Sequence, residues 1–374
     1  MSRRIEDLRV VLIKSRLEAT IIAPFGRVEV HHNLVVRVRL ADGTEGLGEV
    51  WANFPPWGCP ERVEILRRVF RPELVGETLD DPARLHHKLR ARMRGLANQM
   101  GAIGPFDQAL SGTDIALWDA HSRALGLPLR RALAPEAADS APVYATNLPI
   151  DRPDMIEEMA AKGHVRFKVK FPPDIEIARR WLPEARAAAG ERMLMTDATQ
   201  GQTPARLAEI MDVLEATRLA WLEEPFPVDD TAAYREWHGM AGRPPLAMGE
   251  NSYGESGFAT LLEQIDPDWA QPDITKTAGI TRAGKLVAMS KAAGKKVALH
   301  MYGGPIGLYA SAQLAAALGT VDLVEMDSKA NPNFDSLITP AREVVDGRLV
   351  LPDGPGLGIT LDPDVLERFD VTEG

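Results

Sequence analysis

The stretch VRFKVKF, residues 165–171, has the alternation of a β-strand that carries charge on one face. Side chains alternate along a strand, so Phe167, Val169 and Phe171 take one face, and Lys168 and Lys170 take the other. Two lysines on one face of an otherwise apolar strand repel each other, and burying both costs desolvation free energy. The strand therefore needs neighbours that compensate two positive charges.

Strand-like runs recur from about residue 142 onward, with helical segments between most of them. The eight runs are PVYATNL, VRFKVKF, RMLMTDA, LAWLEEP, PLAMGEN, WAQPDI, KKVALHM and VDLVEMD. This alternation is typical of parallel strands joined by helical crossovers. Eight such units favour an α/β fold of the (β/α)7-8 TIM-barrel type. A doubly wound sheet is less favoured, because no G-x-G-x-x-G turn follows a strand.

The first part of the chain has a different pattern. Asp42-Gly43 separates LVVRVRL from TEGLGEVWA, which predicts a β-hairpin, and three helical stretches follow it. The tail GRLVLPDGPGLGITLD again has strand and turn signals. We therefore expect an α+β capping domain over residues 1–130 and a catalytic barrel over 131–335. The C-terminal segment, 336–374, is expected to return to the capping domain.

Composition excludes several classes of protein. The net charge of −10 and the pI near 5.4 argue against a nucleic-acid-binding protein. Cys59 is the single cysteine, which excludes an intrachain disulfide and a thiolate metal site. The N-terminus lacks the apolar core of a signal peptide, and no run approaches the length of a membrane span. We expect a cytoplasmic protein with neither a nucleic acid nor a membrane as its partner.

Each strand-like run from residue 165 onward ends in, or is directly followed by, an ionisable side chain. From Lys170 onward, these residues recur at spacings of 23 to 27 positions, about one strand–helix unit: Lys168/Lys170, Asp197, Glu223, Glu250, Asp273, His300 and Glu325. Taken singly, each has an ordinary explanation, such as a turn, a helix cap or a satisfied core histidine. Equivalent strand ends of a barrel face one mouth, where such enzymes have their active sites. The shared spacing therefore predicts one pocket.

Three carboxylates, those of Asp197, Glu223 and Glu250, fall on consecutive strands. They repel one another unless a cation holds them, and an all-oxygen ligand set suits Mg²⁺ or Mn²⁺ better than Zn²⁺. The same carboxylates would balance the two lysines, whose mutual repulsion is expected to lower the pKa of one toward that of a useful base. Asp273 near His300 is typical of a carboxylate that orients an imidazole.

The motifs of the second half of the chain resemble those of the enolase superfamily, and within it the mandelate racemase subgroup. They are KVK, TDATQ, WLEEP, MGEN, QPDITKTAGIT and ALHMYGG, in the family's order and close to its spacing. ALSGTDIALWDAHSRALGLPL and GPGLGI match stretches that are structural in that family. The resemblance covers nearly the whole chain. It implies one Mg²⁺ per subunit and removal of the α-proton from a small carboxylic acid through an enediolate.

The resemblance also implies a role for each ionisable residue. The metal ligands would be Asp197, Glu223 and Glu250. The catalytic residues would be Lys170 as a base, Lys168 beside it, and His300 with Asp273 on the opposite face of the substrate. The substrate contacts would come from Glu325, Thr199 and Lys168, with Asp327 as a weaker candidate than Glu325. Lys276 would have a supporting role, and Glu224 would not be a primary metal ligand.

Two features of the sequence leave the identity of the substrate undetermined. Thr199 stands where many members of the family carry Asn. Residues 18–33, EATIIAPFGRVEVHHN, correspond to a cap loop over the distal end of the substrate. The mixture that this segment offers does not indicate one ligand: Phe25, Arg27, His31 and His32.

The lysine–histidine pair is compatible with two reactions. Most relatives with this pair dehydrate acid sugars to 2-keto-3-deoxy acids, which makes a hydro-lyase the favoured function. The alternative is a racemase or epimerase of a 2-hydroxy acid, which a mainly apolar distal pocket would favour. A Schiff-base aldolase with Lys170 as nucleophile would leave the carboxylates unused, and a non-catalytic protein would be expected to have lost some of them. Large barrel enzymes often associate, so we expect a homo-oligomer.

Overall fold

An antiparallel sheet opens the chain. The computed structural model describes residues 3–23, 26–55, 59–328, 338–369 and 372, apart from a few side chains within these ranges. The sheet consists of β1 (Ile5–Ala23), β2 (Gly26–Leu40) and β3 (Glu45–Val50). Gly43 has a φ of 86° in the turn between β2 and β3, which confirms the predicted hairpin. The helices beside the sheet are α1 (Pro60–Ile65), α2 (Arg71–Leu74), α3 (Pro82–Met100) and α4 (Ile103–Leu125), with a π-helical turn at Leu66–Phe70.

The two faces of β3 pack against different neighbours. A Cβ atom at Gly46 or Gly48 would overlap backbone atoms of α4, so glycine allows the helix to lie directly on the strand. On the other face, Leu47 belongs to the same apolar core as the barrel strands, whereas Val50 belongs to the core of the capping region. Glu49 follows Leu47 by two residues and therefore also faces the barrel.

Residues 18–23 and 26–33 belong to the paired strands β1 and β2 and do not form the predicted loop. The β1–β2 ladder continues to the pair Ala23↔Gly26, with an irregularity between Arg16 and Ile21. This segment is rich in β-branched residues, which favour an extended, paired conformation. Of the four cap residues singled out above, Phe25 lies outside the described residues, and His31 and His32 are buried in β2.

The barrel is a closed ring of parallel strands. Its strands are β4 (Ser140–Leu148), β5 (Arg166–Lys170), β6 (Met193–Asp197), β7 (Leu222–Glu223), β8 (Leu246–Met248), β9 (Trp269–Ala270), β10 (Lys296–Leu299) and β11 (Leu323–Asp327). They pair in sequence order, and β11 pairs with β4 to close the ring. All eight predicted strands are present, and the predicted fold class, a TIM-type barrel with an N-terminal capping region, is confirmed.

Helices surround the barrel. They are α5 (Leu129–Leu133), α6 (Asp154–Ala161), α7 (Ile175–Ala189), α8 (Pro204–Ala208), α9 (Met211–Thr217), α10 (Thr231–Gly239), α11 (Gly254–Thr260), α12 (Gly279–Ala292) and α13 (Pro305–Leu318), with π-helical turns at Leu261–Ile265 and Ile274–Ala278. Phe167, Val169 and Phe171 pack in the core that includes these helices, as the alternation of VRFKVKF predicts. None of the helices within the described residues has both the length and the apolar character needed to cross a bilayer.

An apolar layer fills the barrel interior. It comprises Tyr144, Met195, Trp221, Ala247, Trp269, Ala298 and Leu323. Lys168 Nζ lies 5.5 Å from the centre of the Tyr144 ring. Barrel interiors are packed cores, so the polar side chains of the strands collect at one end.

The last part of the chain contacts both the barrel and the capping region. Its elements are β12 (Ile338–Thr339), β13 (Val344–Val345), β14 (Arg348–Val350), β15 (Thr360–Leu361) and α14 (Pro363–Arg368). Strand β14 pairs with β4, and Leu12 N donates to Phe369 O at 3.0 Å. The domain boundaries at residues 130/131 and 335/336 remain predictions, and the second lies outside the described residues.

Candidate active site

A cavity of about 660 Å³ opens where the barrel strands end. This volume is within the range of small-molecule sites. The residues from the sequence-predicted set that line it are Lys170, Asp197, Thr199, Glu223, Glu250, His300 and Glu325. Lys168 and Asp273 are buried behind this wall, and each contacts a residue that lines the cavity. The structure therefore brings the predicted residues of β5 to β11 together at one site.

The two lysines are each held by carboxylates. Lys168 Nζ donates to both carboxylate oxygens of Glu223, at 2.7 and 2.8 Å, and lies 2.7 Å from Glu325 Oε1. Lys170 Nζ donates to Asp197 Oδ2. Burial alone would lower the pKa of Lys168, but Glu223 and Glu325 raise it well above its ordinary value. Burial likewise opposes the charge on Lys170, yet Asp197 raises its pKa.

The expectation that one lysine has a lowered pKa is therefore wrong for this arrangement. Repulsion between the two ammonium groups is present, but opposite charges at hydrogen-bond distance outweigh it. Both lysines are ionised at neutral pH in this geometry. The two positive charges on one face of VRFKVKF are thus compensated by the carboxylates that pair with each lysine.

Glu223 is at the centre of the acidic residues. Strand pairing places Asp197 directly beside Glu223, and Glu250 follows the end of the next strand, β8. Burial and the neighbouring carboxylates of Asp197 and Glu325 together raise the pKa of Glu223 to about 7, although Lys168 opposes this rise. Repulsion between neighbouring carboxylates thus contributes to the raised pKa of Glu223.

His300 and Asp273 form the predicted dyad. His300 Nδ1 lies 2.7 Å from Asp273 Oδ2, and Asp273 Oδ1 accepts from the backbone N and the hydroxyl of Thr275 at 2.6 and 2.7 Å. His300 Nε2 contacts Glu250 and lies 3.7 Å from Glu325 Oε2. Burial would lower the pKa of His300, but Glu250, Glu325 and Asp273 raise it well above its ordinary value. The imidazole is therefore protonated in this arrangement.

Thr199 has a strained backbone beside Asp197. Its φ of 47° lies in the left-handed region, which is costly for a β-branched residue. Its backbone N and its hydroxyl donate to Asp197 Oδ1 at 2.8 and 3.1 Å. The residue lines the cavity, but its hydroxyl is engaged by Asp197. A direct contact between Thr199 and the substrate stays a prediction.

Lys276 and Glu224 lie beside Glu250. Lys276 Nζ donates to Glu250 Oε1 at 3.3 Å and to Asn251 Oδ1 at 2.6 Å, and it lies 4.5 Å from the centre of the Trp51 ring. Burial and the nearby Glu250 raise the pKa of Glu224 to about 8. The contacts of Lys276 are consistent with a role in support of Glu250, and the expectation that Glu224 is not a primary metal ligand stays a prediction.

Several residues that line the cavity were not predicted from the sequence. They include Trp51, Phe54, Asn147, Gln200, Asn251 and Tyr302. Asn147 could have been found, because it is the residue before the last of β4, one strand–helix unit before Lys170. It has a φ of 62°, and its Nδ2 is buried without a hydrogen-bond partner among the described residues. No local signal in the sequence indicates that Trp51 and Phe54 of the capping region reach this cavity.

The donor set fits a divalent cation. The site contains more carboxylates (Asp197, Glu223, Glu224, Glu250, Asp273 and Glu325) than basic groups (Lys168, Lys170, Lys276 and His300). The excess of carboxyl groups over basic groups and the supply of oxygen ligands suit Mg²⁺. A second possible set of metal ligands is Glu223, His300 and Glu325, whose ligand atoms lie within 4.8 Å of one another. Glu223 is common to this second set and to the set of ligands predicted from the sequence. The three predicted ligands remain a prediction.

Comparison with known proteins shows what this fold and site belong to. Residues 8–133 match the mandelate racemase/muconate lactonizing enzyme N-terminal domain, and residues 152–365 match the enolase C-terminal domain-like family. The chain belongs to the enolase superfamily, in its mandelate racemase group. Enzymes of this superfamily use Mg²⁺.

Similar proteins extend over nearly the full chain. The D-galactarolactone cycloisomerase of Agrobacterium fabrum is 29% identical over 98% of this chain and 98% of its own length. The D-xylonate dehydratase of Haloferax volcanii is 27% identical over 90% of this chain and 85% of its own. A crystal structure of a mandelate racemase/muconate lactonizing enzyme from Bordetella bronchiseptica RB50 is 32% identical, with a TM-score of 0.84 over 98% of this chain and 99% of that one. These two curated relatives are thus a cycloisomerase and a dehydratase of sugar-acid compounds.

Proposed function

We propose that this protein is a Mg²⁺-dependent hydro-lyase that removes the α-proton of an acid sugar and eliminates its β-hydroxyl to form a 2-keto-3-deoxy acid. One observation carries the proposal. Lys170 on β5 and His300 at the end of β10 line the same cavity and flank strands β6 to β8, which lead to Asp197, Glu223 and Glu250. Proton-transfer groups are thereby available on two sides of one acidic site.

The acidic residues would bind the metal and orient the substrate. Asp197, Glu223 and Glu250 would hold Mg²⁺, which when bound stabilises negative charge on a substrate carboxylate. Lys168 and Glu325 are paired at 2.7 Å behind that position. We assign them to the carboxylate end of the substrate, which leaves Lys170 and His300 for proton transfer at C2 and C3.

The two proton transfers balance as a dehydration. Lys170 must first lose the proton that its pair with Asp197 stabilises, and binding of Asp197 to the metal would remove that pair. Neutral Lys170 then accepts the proton from Cα, the Cβ–O bond breaks, and His300 gives its Nε2 proton to the leaving hydroxyl, so that water departs. The resulting enol becomes the 2-keto acid by tautomerisation. Asp273 accepts from Nδ1 of His300 at 2.7 Å, which directs Nε2 toward the cavity and stabilises the imidazolium.

A second candidate function is supported by the apolar part of the cavity wall. Trp51, Phe54, Ile150, Phe171 and Pro172 are apolar residues that line the cavity. Such a wall would suit a 2-hydroxy acid with an apolar substituent, which lacks the hydroxyl groups of a sugar acid. Lys170 and His300 would then exchange the α-proton between two faces, as in a racemase or epimerase.

One screen separates these functions. Mono- and diacid sugars and 2-hydroxy acids are incubated with the enzyme and Mg²⁺, and both the 2-keto product and the optical rotation are followed. A 2-keto product that EDTA abolishes and Mg²⁺ restores supports the hydro-lyase, whereas loss of rotation without a 2-keto product supports the racemase. Full turnover of metal-free enzyme, or covalent trapping of a carbonyl substrate by borohydride, would contradict both.

His300→Asn tests whether Lys170 removes the α-proton while His300 protonates the leaving hydroxyl. We expect this variant to lose β-elimination, because no acid protonates the leaving hydroxyl. Exchange of the α-proton by Lys170 should persist and be measurable by NMR in D₂O. Dehydration at the wild-type rate in this variant would show that the leaving-group acid is another residue.

A further inference from the structure

Glu49 of the capping region reaches the segment that follows His300. Its side chain is buried, and its carboxylate accepts from Gly304 N and, at 2.9 Å, from Gly307 N. Asn33 Nδ2 donates to the same carboxylate at 3.2 Å. The two glycine amides belong to the first turn of α13, where a carboxylate is favoured because these N–H groups lack partners within the helix.

The segment from His300 to Gly307, termed here the histidine segment, has a sequence that permits this contact. A Cβ atom at Gly303 would lie 2.8 Å from Glu49 Oε1, and one at Gly304 would lie 2.8 and 2.9 Å from the two carboxylate oxygens. Only residues without a side chain fit there while Glu49 keeps its position. The paired glycines of MYGGP thus match the carboxylate.

Two further residues of the capping region hold the histidine segment. Asn53 Nδ2 donates to Tyr302 O at 2.6 Å. The ring of His31 meets the ring of Tyr302 edge-on, with centroids 6.0 Å apart. Tyr302 itself lines the cavity. The capping region therefore holds the chain directly after His300 at three positions.

The same edge of the capping region also contacts the other half of the dyad. Trp51 N, two residues after Glu49, donates to Thr275 O at 3.1 Å. Thr275 in turn donates from its backbone and its hydroxyl to Asp273 Oδ1. Residues 49–53 thus contact the chain next to Asp273 and the chain next to His300.

We propose that Glu49 is a positioning residue for His300, which it holds in line with Asp273 and the cavity by fixing the histidine segment to the capping region. The inference rests on the proposed role of His300 as the leaving-group acid. Glu49 does not contact the cavity, so its effect is exerted through the histidine segment. It should matter for β-elimination, which needs His300, and not for proton removal by Lys170 on the opposite flank.

The experiment compares Glu49→Gln with Asp119→Asn. Asp119 is a matched control because it is a fully buried carboxylate that accepts from two backbone amides, Leu47 N at 2.8 Å and Leu357 N at 2.7 Å, without contact to the histidine segment. In Glu49→Gln we expect kcat for elimination to fall on the order of 10- to 100-fold, as for a small displacement of a catalytic group. KM and the rate of α-proton exchange should stay at the wild-type values.

Asp119→Asn should leave the ratio of elimination to exchange unchanged, even where both variants lose stability. Glu49→Asp, which keeps the charge, should restore part of that ratio. An unchanged ratio in Glu49→Gln would overturn the proposal and leave Glu49 with a structural role only.

An NMR measurement tests whether Glu49 positions His300, and it needs no substrate. In enzyme labelled with ¹⁵N-histidine, the ring signals of His300 are assigned by their loss in His300→Asn. Glu49→Gln should shift or broaden them, whereas Asp119→Asn should not. If the wild-type enzyme acts on none of the acids in the screen, the proposed function fails, and the His300 signals still test the positioning role. Identical His300 signals in wild type and Glu49→Gln would overturn it.

Discussion

Lys170 is the residue on which proton removal depends in the proposed mechanism. It lines the cavity, and its ammonium group pairs with Asp197. Lys170→Ala should lower turnover by about 10² to 10⁴, the usual loss when one acid–base group is removed. The measurement is steady-state kinetics on the substrate found by the screen, with circular dichroism to verify folding. Near-normal kinetics in Lys170→Ala would exclude this lysine as the base.

The ligand set can be tested one residue at a time. If Asp197, Glu223 and Glu250 bind Mg²⁺, Asp197→Asn should lose most of the Mg²⁺ binding measured by calorimetry, whereas His300→Asn should keep it. The alternative set, with Glu223, His300 and Glu325 as ligands, predicts the reverse. Glu223→Gln should weaken binding under either assignment and serves as the positive control. Retained Mg²⁺ affinity in Asp197→Asn would contradict the proposed ligands.

The contact between β3 and α4 shows how a strand and a helix are brought together by small residues. Gly48 faces the α4 backbone at Gly112, and a Cβ on either residue would overlap the other element. Gly48→Ala should therefore lower the free energy of unfolding by about 1–3 kcal/mol, as overpacking does. Urea unfolding followed by circular dichroism measures this change.

Gly95→Ala is the control for Gly48→Ala. Gly95 lies within α3, and a Cβ there would meet no heavy atom within 4 Å. Alanine should raise the free energy of unfolding by about 0.5–1 kcal/mol, because glycine is less favourable in a helix. A stability for Gly48→Ala equal to that of the wild type would mean that β3 does not lie as close to α4 as described here.

The stability of the whole molecule should depend on pH through His164. This histidine is buried just before β5, and its Nδ1 lacks a hydrogen-bond partner among the described residues. Burial, together with Arg342 and Lys162, lowers its pKa to about 4. His164 is therefore protonated below about pH 6.5 in the unfolded chain, but only below about pH 4 in the folded protein. The contribution is constant above pH 6.5 and is lost as the pH falls through this window.

The loss should amount to about 3 kcal/mol at most. His164→Gln removes this titration, so the difference in unfolding free energy between wild type and variant should change with pH between 6.5 and 4 and be constant above 6.5. The substitution His87→Gln, at an exposed histidine of α3, serves as the matched control. A wild-type-minus-variant difference that does not vary with pH would contradict the assigned pKa of His164.

The barrel and most of its site could be predicted from the sequence. Alternating strands and helices specify the fold, because parallel strands need crossovers, and strand ends of a barrel share one mouth. Regular spacing therefore predicted that Lys170, Asp197, Glu223 and His300 would meet. The position of Asn147 was encoded in the same way, at the end of the strand before Lys170.

Tertiary structure alone decided the charge states and the contribution of the capping region. The pKa of a lysine depends on its burial and on carboxylates about 3 Å away. No sequence pattern could therefore show that the pKa values of Lys168 and Lys170 are raised and not lowered. Trp51 reaches the cavity, and Glu49 reaches the segment after His300, although both lie about 250 residues before His300 in the sequence. Periodicity describes which face of an element is apolar, but it carries no information about which distant surface that face meets.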